Sequence, residues 1–344
     1  MKKIFKNTFF NLFLIFGFTT VMLWIMLKDN FNEISSILLQ ADMKWIVVVF
    51  VITLLYQVII GVILVVLTRL SKPDFKIREG ILNAVIASFF HGVTPSASGG
   101  QFAQVYVFKK HGVPVSESAG ILWMDFILYQ STMVVLVLVL LILRFSYFYH
   151  HFSNLFAIVL VGFVVNSLVI LGLWAIAKFP RFYTWLTTKG IEIGFKLRIV
   201  KDKEKAVSNL NLQLERFANE TDHLQSHRPM IIKCVLLNIL RLFLYYIIPY
   251  FCALALDIQV PFSMIIDIIA LSAFVSMINA FIPIPGASGG TEAAFVLMFS
   301  NLFGNILATS CMILWRFVSY YFVMLLGGIV FVLFKFIHKD RISA

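Results

Sequence analysis

The chain has 344 residues; 60% are hydrophobic, only 13% are charged, and the formal net charge is +11. That composition excludes a soluble domain of this size and marks a polytopic membrane protein. The positive charge does not mark a nucleic-acid binder, because the basic residues gather in loops on one side of the proposed membrane, the positive-inside pattern.

Short polar gaps alternate with apolar runs near ~20 residues, which predicts helices and not a barrel. Cys234, Cys252 and Cys311 lie in or beside apolar runs and read as small core residues, not as a disulfide set or a metal site. Lys2, Lys3 and Lys6 place the N-terminus in the cytoplasm. The apolar run from Phe9 to Leu27 is followed by no small-residue cleavage site, so it is expected as a retained span over 8–27.

Phe31, Ile34, Ile37, Leu38 and Ala41 recur at helical spacing and predict a short helix on the outer surface. A second span over 45–67 ends at Arg69, Lys72, Lys76 and Arg78. Next, residues 80–94 are apolar but reach only ~22 Å, short of a ~30 Å hydrocarbon core. The break Pro95-Ser-Ala-Ser-Gly-Gly-Gln-Phe-Ala103 follows, and Lys109 and Lys110 close the segment. Basic residues on both flanks predict a re-entrant hairpin entering from the cytoplasmic side. Spans over 117–143 and 153–177 follow, joined by an aromatic outer loop from Arg144 to Phe152.

Residues 178–229 form a basic segment with Lys196, Arg198, Lys201, Lys203 and Lys205 close together. It reads as a positive-inside loop, compatible with a patch for anionic headgroups. A span over 230–256 runs outward to Asp257. The break then returns as Pro285-Gly-Ala-Ser-Gly-Gly-Thr-Glu-Ala293, identical to the first copy at six of nine positions at an offset of 190 residues. No Lys or Arg flanks it, so this hairpin is expected to enter from outside. A last span over 306–333 ends at Lys335, Lys339 and Arg341. This topology puts 23 basic residues inside, counting Lys233 at the inner end of its span, and three outside.

The expected fold is therefore all-α: six full transmembrane helices plus two re-entrant helical hairpins in an inverted-repeat arrangement. Residues 1–344 form one membrane domain, with unit one over 45–143, the basic linker over 178–229 and unit two over 230–333. Inverted units with broken helices at mid-depth are a transporter pattern. Ile121-Leu-Trp123 and Ile313-Leu-Trp315, one after each hairpin, echo the repeat.

A helix starting after each pair of glycines would point free N–H groups and a positive dipole end at the bilayer interior, a seat for phosphate or carboxylate. The alternative is that the small residues only let two tips pack closely. The substrate-binding candidates are Ser96, Ser98, Gly99, Gly100 and Gln101 in the first copy, and Gly286, Ser288, Gly289, Gly290, Thr291 and Glu292 in the second. Ser98 with Gln101 has capping-box spacing, and Ser288 is placed to cap its own copy. Asp125, Arg241, Glu292 and Arg316 are ionisable residues inside apolar segments, and each should face a cavity or a partner. Asp125 and Arg316 follow the two Ile-Leu-Trp echoes and are expected to approach each other or a shared polar cavity; a structural ion pair is the plainer reading. His91 and Asn279 precede the breaks and are further candidates to line it, whereas Asp267 reads as interfacial. The sequence holds no phosphate-binding Gly-Lys-Ser/Thr loop and no metal-spaced cluster, so no catalytic residue, metal or cofactor is assigned.

Thr94-Pro-Ser-Ala-Ser-Gly-Gly-Gln101 with Val105-Tyr106 and Lys109-Lys110 resembles the first motif of the lysylphosphatidylglycerol synthase transmembrane, flippase-like family. Ile284-Pro-Gly-Ala-Ser-Gly-Gly-Thr-Glu292 resembles its second, and Arg316, Tyr320 and Gly327 also fit. Many members carry an acidic residue after the first glycines, where this chain has Gln101. The resemblance implies a region that moves aminoacylated phosphatidylglycerol to the outer leaflet of a bacterial plasma membrane, with a separate cytoplasmic domain making that lipid. The chain closes at Ala344, so that catalytic domain is expected to be absent. The expected partner is a membrane phospholipid, with a separate lipid-modifying enzyme and homo-oligomers left open. The rival readings are a phosphatidylglycerol lysyltransferase-type enzyme component and a membrane scaffold for a separate synthase or glycosyltransferase.

Overall fold

A computed structural model describes residues 31–94, 98–151, 160–168, 170–172, 222, 225–279, 282 and 284–337. The expected spans over 8–27 and 153–177 lie wholly or largely outside these residues, as do Ser96, both termini and nearly all of the basic segment. The described residues are helical and contain no strand. Five helical stretches are long and apolar enough to cross a membrane: Met43–Thr68, Val115–Phe145, Arg228–Ala255, Phe262–Asn279 and Asn305–Ile337. The protein is a multi-pass helical membrane protein. Four of these stretches coincide with expected spans; the fifth, Phe262–Asn279, is the limb expected as half of a hairpin.

Helix α1 (Phe31–Leu39) buries Ile34 and leaves Phe31 exposed. Helix α2 (Met43–Thr68) starts at Asp42, whose carboxylate accepts from the Lys44 N–H at 2.8 Å. Helix α3 (Ile77–Val93) crosses α2 at a contact between glycines. A Cβ on Gly61 would lie 2.5 Å from the Ile81 Cα, so the backbones touch with nothing between them. Helix α4 (Gly99–Lys110) folds back along α3: the Asn83 side-chain amide donates to the Gln104 carbonyl at 3.3 Å, and Gly100 rests on the His91 ring. The open end of this hairpin is closed by the Lys72 ammonium donating to the His111 carbonyl at 2.8 Å and by Phe75 against Phe108.

Helix α5 (Val115–His151) continues through the aromatic stretch expected as a loop, with one non-helical residue at Arg144. No Gly or Pro stops it there. The expected span over 230–256 is two helices, α6 (Arg228–Tyr246) and α7 (Ile248–Ala255). Pro249 lacks the N–H that would continue the ladder and breaks it at Ile247. A 3₁₀ turn (Phe262–Met264) leads into α8 (Ile265–Asn279). A second 3₁₀ turn (Pro285–Ala287) precedes α9 (Gly290–Phe303), which packs on α8. After Gly304, α10 (Asn305–Arg316) folds back on α9, with Phe295 and Trp315 stacked at 4.8 Å. A π-helical turn (Phe317–Phe322) joins α10 to α11 (Val323–Ile337).

The open end of this second arrangement lies with α1, which touches α10, and with the Asp42 N–H, which donates to the Ala255 carbonyl at 2.7 Å. Arg144 on α5 also reaches Asp267 on α8 there, at 2.9 Å. The open ends of the two helix pairs thus lie beside opposite ends of α2, one near Lys72 and the other near Asp42.

Two apolar cores occupy those ends. One gathers Val49 and Ile52 of α2, Met133 and Val137 of α5, and α7 to α10. The other gathers Ile63 and Leu64 of α2, Ile121 and Leu128 of α5, Phe75, Phe108 and Cys234. Between them, α2 carries Thr53 and Gln57, α5 carries Asp125 and Tyr129, and α6 carries Asn238 and Arg241. This polar belt between the two cores contains the candidate site.

Candidate functional site

At the second break the chain passes through left-handed backbone at Gly286 (φ 62°) and Gly289 (φ 87°) before α9 begins. Glu292 sits in the first turn of α9, where the helix dipole favours a carboxylate. Its Oε2 accepts from the Gly289 N–H at 2.7 Å and its Oε1 accepts from the Arg316 Nε–H at 2.9 Å. Glu292 is 1% exposed and Arg316 6%. Arg316 also donates through Nη2 to the Gly286 carbonyl, and its guanidinium lies 3.9 Å from the centroid of the Tyr320 ring. Buried charges are tolerated at mid-depth when paired and hydrogen-bonded in this way.

Tyr320, on the π-helical turn after Arg316, donates its hydroxyl to the Gly92 carbonyl at 3.0 Å. Gly92 lies in the last turn of α3, so one side chain ties the tip of the first hairpin to the turn before α9. A Cβ on Gly286 would strike the Tyr320 hydroxyl, which explains glycine there. A π-helical turn widens the ladder by one residue and re-aims the side chains around it.

Several expectations are corrected here. Ser98 and Gln101 form no capping box: the Gly99 N–H donates to the Thr94 hydroxyl at 2.8 Å, and that hydroxyl donates to the Phe90 carbonyl at 2.6 Å. Ser98 and Gln101 are exposed. Ser288 does not cap α9; Glu292 reaches back to Gly289 instead, and the buried Ser288 hydroxyl lies near Tyr320 without hydrogen-bond geometry. Asp125 does not meet Arg316, which is taken by Glu292. The cation acting on Asp125 is Arg241. The two copies are also unequal in setting: Ser288, Thr291 and Glu292 are sealed, whereas Ser98 and Gln101 face outward.

Asp125 and Arg241 belong to a second polar group. The Arg241 guanidinium stacks 4.2 Å from the Tyr129 centroid and lies 5.6 Å from that of Tyr56. Its Nη1 donates to the Asn238 Oδ1 at 3.4 Å. Beside it, the Ser88 hydroxyl of α3 donates to the Gln57 side-chain Oε1 at 3.1 Å. Tyr245 links the two groups, with its ring 5.3 Å from Tyr56 and 6.3 Å from Trp315. Sequence reasoning missed Tyr56, Gln57, Tyr129, Asn238 and Tyr245. The available signal was the i, i+3 spacing of Asn238 and Arg241 on one helix face. Asp267 is indeed at the bundle end, paired with Arg144. Among the described residues no cluster of His, Cys, Asp or Glu is arranged to hold a metal.

Residues 11–327 match the sequence profile of the family described as the lysylphosphatidylglycerol synthase TM region. The chain belongs to that family. The match spans both breaks and the Glu292–Arg316 pair, so the buried pair lies within the family region. Comparison with curated proteins and with solved structures found no match.

Proposed function

We propose that this family member binds a phospholipid headgroup at mid-depth and carries it across a bacterial plasma membrane. The observation that carries the reading is the junction of the two breaks: Tyr320 ties the first tip to a turn whose Gly286 and Glu292 hold Arg316. On this reading α3–α4 and α8–α9 are re-entrant hairpins entering from opposite faces, in inverted units over 45–143 and 230–333. Support comes from length, since α3 and α4 have 17 and 12 residues, ~25 and ~18 Å, too short to span ~30 Å. It also comes from the opposite placement of their open ends, one beside Lys72 and the other beside Arg144. Both termini are then cytoplasmic. Ser98, Gly99, Gly100 and Gln101 form the open tip; Gly286, Ser288, Gly289, Gly290, Thr291 and Glu292 form the sealed one, locked by Arg316. Asp125 and Arg241 line the belt between them. With no nucleotide loop in the sequence, movement is energy-independent or ion-coupled.

The test is reconstitution of the chain in liposomes with acyl-labelled phospholipids. Wild type is expected to exchange label between leaflets, and Glu292→Gln and Arg316→Ala to slow it. A wild type that exchanges no lipid overturns the reading; variants that match the wild type overturn the assignment of these two residues.

A further inference from the structure

The two intramembrane arginines differ in what remains unsatisfied. Arg316 is neutralised by Glu292, donates to Gly286, and is 6% exposed. An incoming anion would have to displace a carboxylate already held by the Gly289 N–H. Arg241 is held differently. The ion pairs among the described residues are Arg144–Asp267 and Arg316–Glu292, so no carboxylate lies within salt-bridge distance of it. Its side-chain hydrogen bond to Asn238 is long at 3.4 Å, the Tyr56 hydroxyl is also in reach, and its Nε–H has no partner among the described residues.

The surroundings point the same way. Asn238 is 0% exposed, and its amide nitrogen likewise has no partner among the described residues. Asp125, whose charge acts on Arg241, keeps a buried oxygen without a hydrogen bond among the described residues. Unmade hydrogen bonds of this kind are costly in a bilayer interior, so a polar ligand that completes them binds with the corresponding gain. The free donors, the Arg241 Nε–H and the Asn238 amide, suit phosphate oxygens. The free acceptor on Asp125 suits an ammonium, while the rings of Tyr129 and Tyr56 already hold the Arg241 guanidinium in place.

We infer that the lipid phosphodiester seats on Arg241 and Asn238, not on Arg316, and that Asp125 takes a primary ammonium of the same headgroup. This rests on the lipid-binding reading above and assigns its parts: Arg316 positions the tips, and Arg241 holds the ligand.

The test is binding to the purified full chain in detergent, read by native mass spectrometry and by ligand-induced thermal stabilisation. The probes are phosphatidylethanolamine, phosphatidylglycerol, diacylglycerol and soluble glycerophosphoethanolamine. Wild type should bind both phospholipids, with phosphatidylethanolamine preferred, and diacylglycerol weakly. Arg241→Gln should weaken both phospholipids by about tenfold or more, as for a lost charge-assisted contact. Asp125→Asn should remove the preference for the ammonium headgroup, so that phosphatidylethanolamine binds no more tightly than phosphatidylglycerol. Competition by soluble glycerophosphoethanolamine at millimolar concentration supports a headgroup seat. Binding of the soluble headgroup as tight as that of the lipid overturns a lipid site in favour of a free phosphate ester.

If Arg241→Gln does not fold, Asn238→Leu serves in its place and should also weaken phospholipid binding. Equal binding of diacylglycerol, or wild-type binding by the Arg241 or Asn238 variants, overturns the inference. Liposome exchange together with wild-type binding by these variants sinks this seat alone. Selective binding without any exchange sinks the transport reading alone.

Discussion

Arg316 donates to Glu292 at 2.9 Å across α9 and α10, with both side chains buried. Removing one partner leaves a charge without its counter-ion in an apolar interior. Glu292→Gln or Arg316→Ala should therefore lower stability by about 3–5 kcal/mol, while the double change Glu292→Met with Arg316→Leu should recover much of the loss. Unfolding in detergent, run as a double-mutant cycle, checks this. The Arg144–Asp267 pair provides the contrast: Asp267 is buried but its arginine side chain is 35% exposed, so Asp267→Asn should cost less than the loss of either Glu292 or Arg316.

Tyr320 makes two separable contacts, a hydrogen bond to Gly92 and a ring face under Arg316. Tyr320→Phe removes only the first and should cost about 0.5–1.5 kcal/mol. Tyr320→Ala removes both and should cost more. Melting midpoints in the order wild type, Phe, Ala are expected; equal midpoints for wild type and Phe would mean the hydrogen bond contributes nothing to the junction.

Gly286 and Gly304 both have left-handed backbone, with φ of 62° and 76°. A Cβ at Gly304 meets open space, whereas one at Gly286 falls on the Tyr320 hydroxyl. Gly304→Ala should cost only backbone strain, about 1–3 kcal/mol at its φ of 76° and ψ of 162°. Gly286→Ala should cost that plus a displaced Tyr320, and should slow lipid exchange where Gly304→Ala does not. Parallel melting and exchange measurements on the two variants decide it.

The α2–α3 crossing has no slack, because a Cβ on Gly61 would lie 2.5 Å from the Ile81 Cα. Gly61→Ala should destabilise by about 1–3 kcal/mol through overpacking, even though alanine is the better helix former. A variant as stable as wild type would show that the two helices can separate freely.

Opposite hairpin orientation has a direct chemical test. Cys234, Cys252 and Cys311 are buried, so an introduced surface thiol should react selectively. Lys110→Cys should label from the cytoplasmic side of intact cells or oriented vesicles, and Asn305→Cys from the other. Labelling of both from one side would end the inverted-repeat reading.

Much of the frame was legible in the sequence. Runs such as Met43–Thr68 are long and apolar, and hydrophobic length is a local property that the bilayer reads directly. The shortness of Ile77–Val93 and its basic flanks predict a re-entrant hairpin, and of that the structure shows α4 folding back along α3. Glu292 was legible too, because a carboxylate in a first helical turn satisfies N–H groups of its own segment.

Other features belong to the tertiary structure alone. The repeated motif suggested two equivalent tips, yet one is sealed around Glu292 and the other leaves Ser98 and Gln101 exposed. The echo after Ile-Leu-Trp suggested that Asp125 and Arg316 approach each other or a shared polar cavity, yet Arg316 pairs with Glu292, and the cation whose charge acts on Asp125 is Arg241. The physical reason is rotation about the helix axis. Composition and spacing along the chain determine which segments enter the membrane and roughly how deep each polar residue lies. Which two charges meet at that depth depends on how each helix is turned against its neighbours. Contacts between residues far apart in sequence set that turn, among them Gly61 on Ile81 and Tyr320 on Gly92.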